Sequence, residues 1–400
     1  MSAYNGTVRF VCGHFCFIRR IVMRQRLISF VICLLLFVAG NRVSAGDSIS
    51  AKAYLLMDAA TGKVLAAKNE TERLPIASTT KIMTALLALE QPNVKERFCV
   101  DADAIRVEGS SMGLLPGDEV SLYDLAGGML SASGNDAANA AAVRIGGDLS
   151  SFAQMMNDRA ASLSMEDTHF VTPSGLHDDG HYSTAKDLVL LAREALQNPM
   201  FRSLCSQSHV TLYYGNPPYY RTLMNHNRLL SSYEGCIGVK TGYTKTAGRC
   251  LVSAAERDGV TLICVTLSAP NDWEDHKALL DRGFRASEPM TKEMDVSDVQ
   301  IPVVGGTQQT ITVRTASALT ACLNETEWKE IVRELECPPF LYAPVQEGDY
   351  IGDAVYTYRG NIVGRIPLIA ASNTAYMEES PSFFDKILQF LKAHIRIPIS

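Results

Sequence analysis

The sequence lacks the usual marks of three classes of protein: nucleic-acid-binding proteins, zinc proteins and repeat proteins. It has 37 lysines and arginines against 43 aspartates and glutamates, a formal charge of −6 with no long basic run, so no nucleic-acid partner is expected. Of its ten cysteines, an odd number follows residue 45, and no C-x-x-C pair or Cys/His cluster occurs. We therefore predict no metal site, no cofactor and no disulfide framework. No internal repeat or low-complexity linker is present.

An apolar run near the N-terminus is too short to span a membrane comfortably, which takes about 20 residues. The basic start Met23–Arg26 precedes this run, Leu27–Ala39, and the small-x-small ending Val43–Ala45 follows it. That order is typical of a secretory signal peptide. We predict a cleaved signal peptide over residues 1–45, with translation beginning at Met1 or at Met23. A signal anchor left uncleaved is the alternative.

The remaining chain has the composition of an ordinary globular protein, 47% hydrophobic and 20% charged, and it is long enough for two domains. Alternating stretches around Thr61–Gly62 and around Asp258–Gly259 predict paired strands, and residues 102–196 are predicted to be mostly helical. Strands, a helical block and strands again predict an α+β domain over residues 46–287, whose sheet joins both ends of the segment.

From residue 288 the pattern changes to short alternating stretches separated by glycine turns, such as VQIPVVGG and DAVYTYRGNIVGRIPLIA. One helical pattern, EWKEIVREL, interrupts them. Alternation of this kind favours half-buried strands. We predict a separate, mostly β domain over residues 288–376.

Ser78 and Lys81 stand one helical turn apart, ahead of the apolar stretch MTALLALE. Positions i and i+3 share a helix face, so the hydroxyl and the amine can meet, near the positive end of the helix dipole. An unpaired buried lysine is costly, so Lys81 either reaches solvent or acts beside the serine as a neutral proton acceptor. Neutrality at pH 7 requires a pKa about 3–4 units below the ordinary value of about 10.4, and burial next to a second cation supplies such a shift.

A second Ser-x-x-Lys, Ser183–Lys186, also lies near a predicted helix start, so two further motifs must choose between the copies. Ser133–Asn135, a predicted loop, offers a hydroxyl that relays a proton and an amide that holds a substrate carbonyl. Lys240–Gly242, at the end of a predicted strand, offers a cation and a hydroxyl for a carboxylate. The ordered trio that begins at Ser78 is the pattern of penicillin-binding proteins and class A β-lactamases. Ser183 follows the middle motif and is interpreted as a helix cap.

From Ala51 to Phe284 the sequence resembles the serine D-alanyl-D-alanine carboxypeptidases, the low-molecular-mass penicillin-binding proteins of the peptidase S11 type. The segments that carry the resemblance are PIASTTKIMTALLALE, GSSMGLLPGDEVSLYDL, SGNDAANA, TPSGLHDDGHYSTAKDL and KTGYTKTAGRCLVSAAERDGVTLICVTLSAPNDW. The following residues resemble the family's C-terminal domain. The resemblance implies a serine β-lactamase/DD-peptidase-like fold, an antiparallel sheet plus a helical block, before a small mostly-β domain. It also implies removal of the terminal D-alanine from peptidoglycan pentapeptide stems, with β-lactams as inhibitors.

Residue roles follow from the same resemblance. Ser78 matches the nucleophile that forms the acyl-enzyme, Lys81 its proton acceptor, and Ser133 the group that passes a proton toward the leaving D-alanine. The residues implied in substrate binding are Asn135, Lys240, Thr241, Gly242, Tyr243 and Thr244. In this scheme Lys240 keeps Lys81 neutral and, with Thr241 and Thr244, holds the terminal carboxylate, and the N–H groups of Ser78 and Tyr243 form the oxyanion hole.

The chain departs from the family pattern at the carboxylate site. Some relatives use an arginine after the last hairpin, where this chain has APNDWEDHK. The candidates to replace it are His276, Lys277 or the Lys-Thr-Gly strand alone.

Three other activities stay open. A DD-endopeptidase that cuts cross-links uses the same acylation chemistry. A β-lactamase needs a further carboxylate to activate water, for which Glu194 is the superficial candidate, although its place at a helix end is that of an exposed surface residue. A cell-wall-binding protein without turnover is the third alternative, and it would have no need of two costly lysines.

Residues 380–400 form a two-sided pattern on a helical wheel. One half holds Phe383, Phe384, Ile387, Leu388, Phe390, Leu391 and Ile395, with His394 as its one polar residue, and the other half holds Asp385, Lys386, Gln389, Lys392 and Arg396. Such a helix is too polar to span a bilayer but can lie in its interface, and its net positive charge favours anionic lipid. We predict a membrane anchor on the outer face of a bacterial cytoplasmic membrane; packing on the β domain is the alternative.

Overall fold

The computed structural model describes residues 49–377 and four helical positions beyond them, Phe384, Lys386, Ile387 and Phe390. The predicted signal peptide and most of the predicted anchor helix lie outside the described residues. In the part that is described, no helix is long and apolar enough to cross a membrane.

Seventeen strands and nine α-helices follow one another in the described residues. The strands are β1 (Ala53–Asp58), β2 (Val64–Lys68), β3 (Arg97–Cys99), β4 (Glu119–Ser121), β5 (His209–Gly215), β6 (Pro218–Met224), β7 (Cys236–Thr244), β8 (Gly248–Arg257), β9 (Val260–Leu267), β10 (Met290–Lys292), β11 (Gln300–Val304), β12 (Thr310–Thr315), β13 (Leu319–Ala321), β14 (Val332–Glu336), β15 (Leu341–Tyr342), β16 (Tyr350–Tyr358) and β17 (Asn361–Ala370). The helices are α1 (Lys81–Leu89), α2 (Leu122–Ser131), α3 (Asn135–Gly146), α4 (Leu149–Ser162), α5 (Ala185–Gln197), α6 (Pro199–Cys205), α7 (Leu229–Ser232), α8 (Asp272–Ala286) and α9 (Glu325–Trp328).

One antiparallel sheet, in the order β2-β1-β9-β8-β7, joins both ends of the first α+β segment, as predicted. The predicted turn between β8 and β9 is also confirmed. Asp258 and Gly259 have φ angles of 50° and 79°, and positive values at both central residues are what a two-residue type I′ hairpin requires. The sheet ends at β7, which places the Lys-Thr-Gly segment on an edge strand.

The helical block is shorter than the sequence predicts. Residues 102–118 form turns, and the block begins only at α2. Three glycines in that stretch, Gly109, Gly113 and Gly117, have φ angles between 84° and 90°, a conformation that ends helices. The helix that precedes this block, α1, is buried along its whole length and packs against α2, α3 and α5 of the block.

The residues after Ser287 form a six-stranded sheet, in the order β14-β16-β17-β12-β11-β15, and a small two-stranded sheet of β10 and β13. They enclose a hydrophobic cluster of their own.

The predicted helix EWKEIVREL is only partly correct. It ends at Trp328, and Val332–Glu336 instead pairs with β16, because the alternating residues VRELE fit the edge of this sheet. The observed architecture confirms the predicted fold class.

His276 fixes α8 against the central sheet. Its ring is fully buried, with Nδ1 2.6 Å from Ser253 Oγ and Nε2 2.9 Å from Thr266 Oγ1. Burial lowers the pKa of His276 to about 3, so the folded protein holds this imidazole neutral.

This histidine makes stability pH-dependent. The folded pKa lies below the ordinary value of about 6.5, so the unfolded chain binds the proton more readily, and stability is lost as pH falls from about 6.5 toward 3. We expect His276 to contribute a loss of about 1.4 kcal/mol in the free energy of unfolding per pH unit in that window. Denaturant unfolding of wild type and His276→Gln at several pH values measures it. The difference between the two proteins should shrink as pH falls, and parallel curves would contradict the assignment.

Candidate active site

A short 3-10 turn presents Ser78 at the entrance to α1. The turn covers Ala77–Thr80, and Lys81 begins α1 directly after it. Ala77 has a φ of 48°, and the Thr80 hydroxyl donates to its carbonyl oxygen at 2.8 Å. Ser78 is partly exposed whereas its neighbours are buried, so the turn offers this hydroxyl to a ligand.

His181 supports the turn from behind, which the sequence did not predict. Its Nδ1 accepts the Val171 N–H at 3.0 Å, so Nε2 carries the proton and donates to Thr80 Oγ1 at 2.7 Å. Burial lowers the pKa of His181 to about 4, which keeps this arrangement neutral. Gly175 completes the support, because a Cβ at this position would lie 2.0 Å from the Ala77 carbonyl oxygen.

Lys81 is completely buried and reaches Ser78 from the first residue of α1. Its Nζ lies 2.8 Å from Ser78 Oγ, 2.7 Å from Asn135 Oδ1 and 2.6 Å from the Ser174 carbonyl oxygen. The Asn135 amide is oriented by its Nδ2, which donates to the Glu108 carbonyl oxygen at 2.6 Å. Amide and carbonyl oxygens only accept hydrogen bonds. An ammonium would donate to all three oxygens, Ser78 Oγ included, whereas a neutral amine would satisfy the two acceptor oxygens with its two N–H groups and keep its lone pair for the Ser78 hydroxyl.

The electrostatic surroundings favour that neutral amine. Burial lowers the pKa of Lys81 well below its ordinary value, and the charge of Lys240 lowers it further, against an opposing effect of Asp136. Lys240 is itself only 1% exposed, and burial lowers its pKa to about 7. A serine with an adjacent neutral base is an activated nucleophile.

The second motif connects the two lysines. Ser133 lies in the loop between α2 and α3, and Lys240 donates to its Oγ at 3.0 Å and to the Thr241 carbonyl oxygen at 2.8 Å. Asn135, two residues later, is the first residue of α3 and contacts Lys81. The motif therefore places its hydroxyl on one lysine and its amide on the other.

Gly242 lets β7 pass close to the Ser78 turn. A Cβ at this position would lie 3.1 Å from the backbone nitrogen of Ser78 and 3.0 Å from the Ile76 carbonyl oxygen, contacts tighter than side chains ordinarily make. The sequence interpretation gave this glycine to substrate access; in the structure it allows the strand to pack closely on the Ser78 turn.

A cleft of about 700 Å³ opens over this arrangement. Five of the predicted residues line it, namely Ser78, Ser133, Thr241, Gly242 and Tyr243. Lys81, Asn135 and Lys240 are buried beside them. Thr244 is not among the lining residues, and its Oγ1 accepts the Ala247 N–H at 3.0 Å in the β7–β8 turn.

Two arginines that the sequence interpretation missed, Arg228 and Arg249, line the same cleft. Arg249 Nε donates to Asp272 Oδ1 at 2.8 Å, and its guanidinium lies 5.6 Å from the centre of the Trp273 ring. The two cations suggested by the sequence lie elsewhere: His276 is buried between strands and helix, and Lys277 pairs with Glu274 at 3.1 Å. A single sequence gives no signal for Arg249, because the β7–β8 register is needed to bring it to the cleft.

The competing motifs do not reach the cleft. Ser183 is fully buried, with its Oγ 2.7 Å from Thr168 Oγ1. Its interpretation as the helix cap is wrong by one residue, since Thr184 caps α5. Glu194 pairs with Arg159 at 2.6 Å and is not among the lining residues of the cleft.

The chain matches two family models. One, described as D-alanyl-D-alanine carboxypeptidase, matches residues 40–271, more than half of the chain. The other, described as the C-terminal domain of penicillin-binding protein 5, matches residues 284–375.

Similar proteins agree with these matches. D-alanyl-D-alanine carboxypeptidase DacF of Bacillus subtilis is 32% identical over 80% of this chain and 85% of its own length. DacC of Escherichia coli, which bears the same name, is 34% identical over 89% and 90%. Penicillin-binding protein 5 of Haemophilus influenzae, a solved structure, is 27% identical with a TM-score of 0.57, over 82% of this chain and 98% of that one. The chain belongs to the D-alanyl-D-alanine carboxypeptidase family, the S11 peptidases, and is a serine hydrolase of that family.

Proposed function

We propose that Ser78 is the nucleophile of a D-alanyl-D-alanine carboxypeptidase and that Lys81 is its general base. The Ser78 oxygen attacks the carbonyl between the two D-alanines while its proton moves to the Lys81 lone pair. The observation that carries this proposal is the position of Nζ among Ser78 Oγ and two oxygens that only accept hydrogen bonds. Collapse of the tetrahedral intermediate leaves an ester on Ser78, which water then hydrolyses.

The leaving amine needs a proton, and Ser133 is the proposed relay. Its Oγ accepts from Lys240 and lines the cleft, so a proton given to D-alanine by the serine can be replaced from the Lys240 ammonium. The N–H groups of Ser78 and Tyr243 are the proposed donors to the oxyanion. Asn135, whose Oδ1 holds Lys81, is proposed to bind the substrate amide as well.

A carboxypeptidase is favoured over the other activities. The family name and the relatives' names point to cleavage of a terminal D-alanine, and the position of Glu194 in an ion pair removes the support for a β-lactamase. An endopeptidase shares the acylation step, so product analysis on cross-linked and uncross-linked peptides distinguishes the two.

The base is tested by Lys81→Arg, because an arginine cannot deprotonate in a protein. We expect acylation by penicillin to slow by about 10²–10⁴-fold, the usual contribution of a general base. The matched control is Lys186→Arg in the second Ser-x-x-Lys, which should acylate like wild type. Mass spectrometry of the penicillin adduct gives both the rate and the site. Near-normal acylation of Lys81→Arg, or an adduct outside Ser78, would contradict the proposal.

Arg249 is the proposed partner of the terminal carboxylate. In the β7–β8 register Arg249 pairs with Tyr243, and Thr241 lies two residues before Tyr243 on the same face of β7. Diagonal neighbours of this kind are about 7–8 Å apart at Cα and within reach of long side chains. Arg249 therefore extends along the face that Thr241 presents to the cleft.

The ion pair with Asp272 orients the Arg249 side chain and uses only its Nε–H group. Asp272 is buried and accepts from Nε, whereas a guanidinium has five N–H donors. The four N–H groups on the two terminal nitrogens are suited to a bidentate carboxylate contact. Arg249 thus replaces the arginine that this chain lacks after the hairpin.

The carboxylate contact is tested with penicillin and its methyl ester. Arg249→Ala should slow acylation by the free acid by about 10–100-fold, the value of a charge-assisted contact. Acylation by the ester, which has no charge to bind, should change by less than about twofold. Arg228→Ala, which removes the other arginine that lines the cleft and keeps Arg249, is the control. Equal losses for acid and ester, or a selective loss in Arg228→Ala instead, would contradict this assignment.

We further propose that the enzyme is exported and held at the outer face of the cytoplasmic membrane, where its substrate is assembled. This rests on the predicted signal peptide over residues 1–45 and on the charge pattern of residues 380–400. Residues 46–287 and 288–376 are proposed as separate domains, supported by two distinct hydrophobic clusters and by the two family matches.

Two truncations test this organisation. A chain ending at Met377 should leave the membrane fraction and keep full penicillin acylation, because only the proposed anchor is lost. A chain ending at Ser287 should still acylate if the first core is self-contained. Cell fractionation and labelled penicillin are the measurements. The anchor is wrong if the shorter chain stays on the membrane, and the domain division is wrong if the second truncation does not fold.

A further inference from the structure

The β5–β6 hairpin carries a cluster of exposed apolar side chains. Between residues 49 and 287, eight large hydrophobic side chains are exposed, and four of them belong to this hairpin: Tyr213, Tyr219, Tyr220 and Met224. Concentrated exposure of this kind marks an interaction surface more often than isolated exposed residues do.

One side of the hairpin forms three cross-strand pairs that start at the active-site cleft. The pairs are His209 with Met224, Thr211 with Thr222, and Tyr213 with Tyr220; we call these six residues the tyrosine face. His209 and Met224 line the cleft, and the two tyrosines lie at the far end, about 13 Å along β6 at about 3.3 Å per residue. The tyrosine face therefore continues the cleft outward.

The tyrosine face is preformed, and none of its six residues is a lysine, an arginine or a carboxylate; one neighbouring guanidinium, that of Arg97, packs on the Tyr213 ring. The opposite side of β5 is buried through Val210, Leu212 and Tyr214, which holds the hairpin in place. The two threonine hydroxyls lie 3.0 Å apart, and the rings of Tyr213 and Tyr220 have centroids 4.9 Å apart. Arg97 lies over Tyr213, so Tyr220, at 75% exposure, offers the open ring.

We propose that the tyrosine face binds the glycan strand to which the stem peptide is attached. This rests on the proposed function, because the substrate reaches the cleft as a peptide on a sugar polymer. Uncharged sugar rings match uncharged aromatic rings and hydroxyls, whereas the stem's own carboxylates and amine call for charged partners. The stem also carries the sugars away from Ser78: four residues separate the scissile bond from the sugar, an extended reach of about 13–14 Å, and the tyrosine face runs outward from the cleft lining.

Three substrates with the same D-Ala-D-Ala terminus separate the contributions: a short acyl-tripeptide, the sugar-free pentapeptide, and glycan strands that bear pentapeptides. The double variant Tyr213→Ala/Tyr220→Ala should lose about tenfold or more in kcat/KM on the glycan strands, equivalent to about 1.4 kcal/mol. On both sugar-free peptides it should stay within about twofold of wild type. Tyr220→Phe, which keeps the ring, should retain most of the activity on glycan strands.

The matched control is Tyr342→Ala/Tyr350→Ala, which removes two exposed tyrosines after Ser287 and should affect none of the three substrates. A loss that already appears on the sugar-free pentapeptide would assign the surface to the stem and overturn the proposal. So would an unchanged kcat/KM on glycan strands. If the proposed function is itself wrong, the wild-type protein will not cleave the acyl-tripeptide, and this result is distinct from the outcomes above.

Discussion

The burial of two lysine amines in one small region is the constraint on which the rest of this structure depends. A buried ammonium without partners is far less stable than one in water, and two of them together repel. The fold meets this constraint by surrounding Lys81 with one serine hydroxyl and two oxygens that only accept. Burial and the charge of Lys240 lower the pKa of Lys81, and this favours the neutral amine, which is the form that the proposed mechanism requires.

This constraint explains why distant segments converge. Three segments form the site: the Ser78 turn, the Ser133–Asn135 loop and β7. Any two of them are separated by more than 50 residues of sequence, and packing contacts fix each of them in place. His181 and Gly175 hold the turn, α3 begins at Asn135, and Gly242 allows the edge strand to pack on the Ser78 turn. In the proposed mechanism, the contacts that stabilise these elements also position the reacting groups.

The sequence predicted those parts of the fold and the site that depend on the spacing of residues close together in the chain. The i, i+3 spacing brought Ser78 to Lys81, and the alternation around Asp258–Gly259 gave the last hairpin. The sequence did not predict the residues that reach the site through contacts between distant segments. Arg249 reaches the cleft only through its pairing with β7, and His181 acts from a loop with no periodicity. The predicted helix EWKEIVREL failed for a related reason, since pairing with β16 overrode its helical spacing.

The central claim is that Lys81 is a neutral base, and nuclear magnetic resonance of lysines labelled with ¹³C and ¹⁵N at the side-chain amine tests it directly. Comparison with Lys81→Arg assigns the Lys81 signal, and a pH titration then follows its protonation. The account predicts a Lys81 titration midpoint well below that of the exposed lysines, with the neutral amine dominant at pH 7. A Lys81 signal that remains an ammonium up to about pH 10, the ordinary lysine pKa, would contradict it.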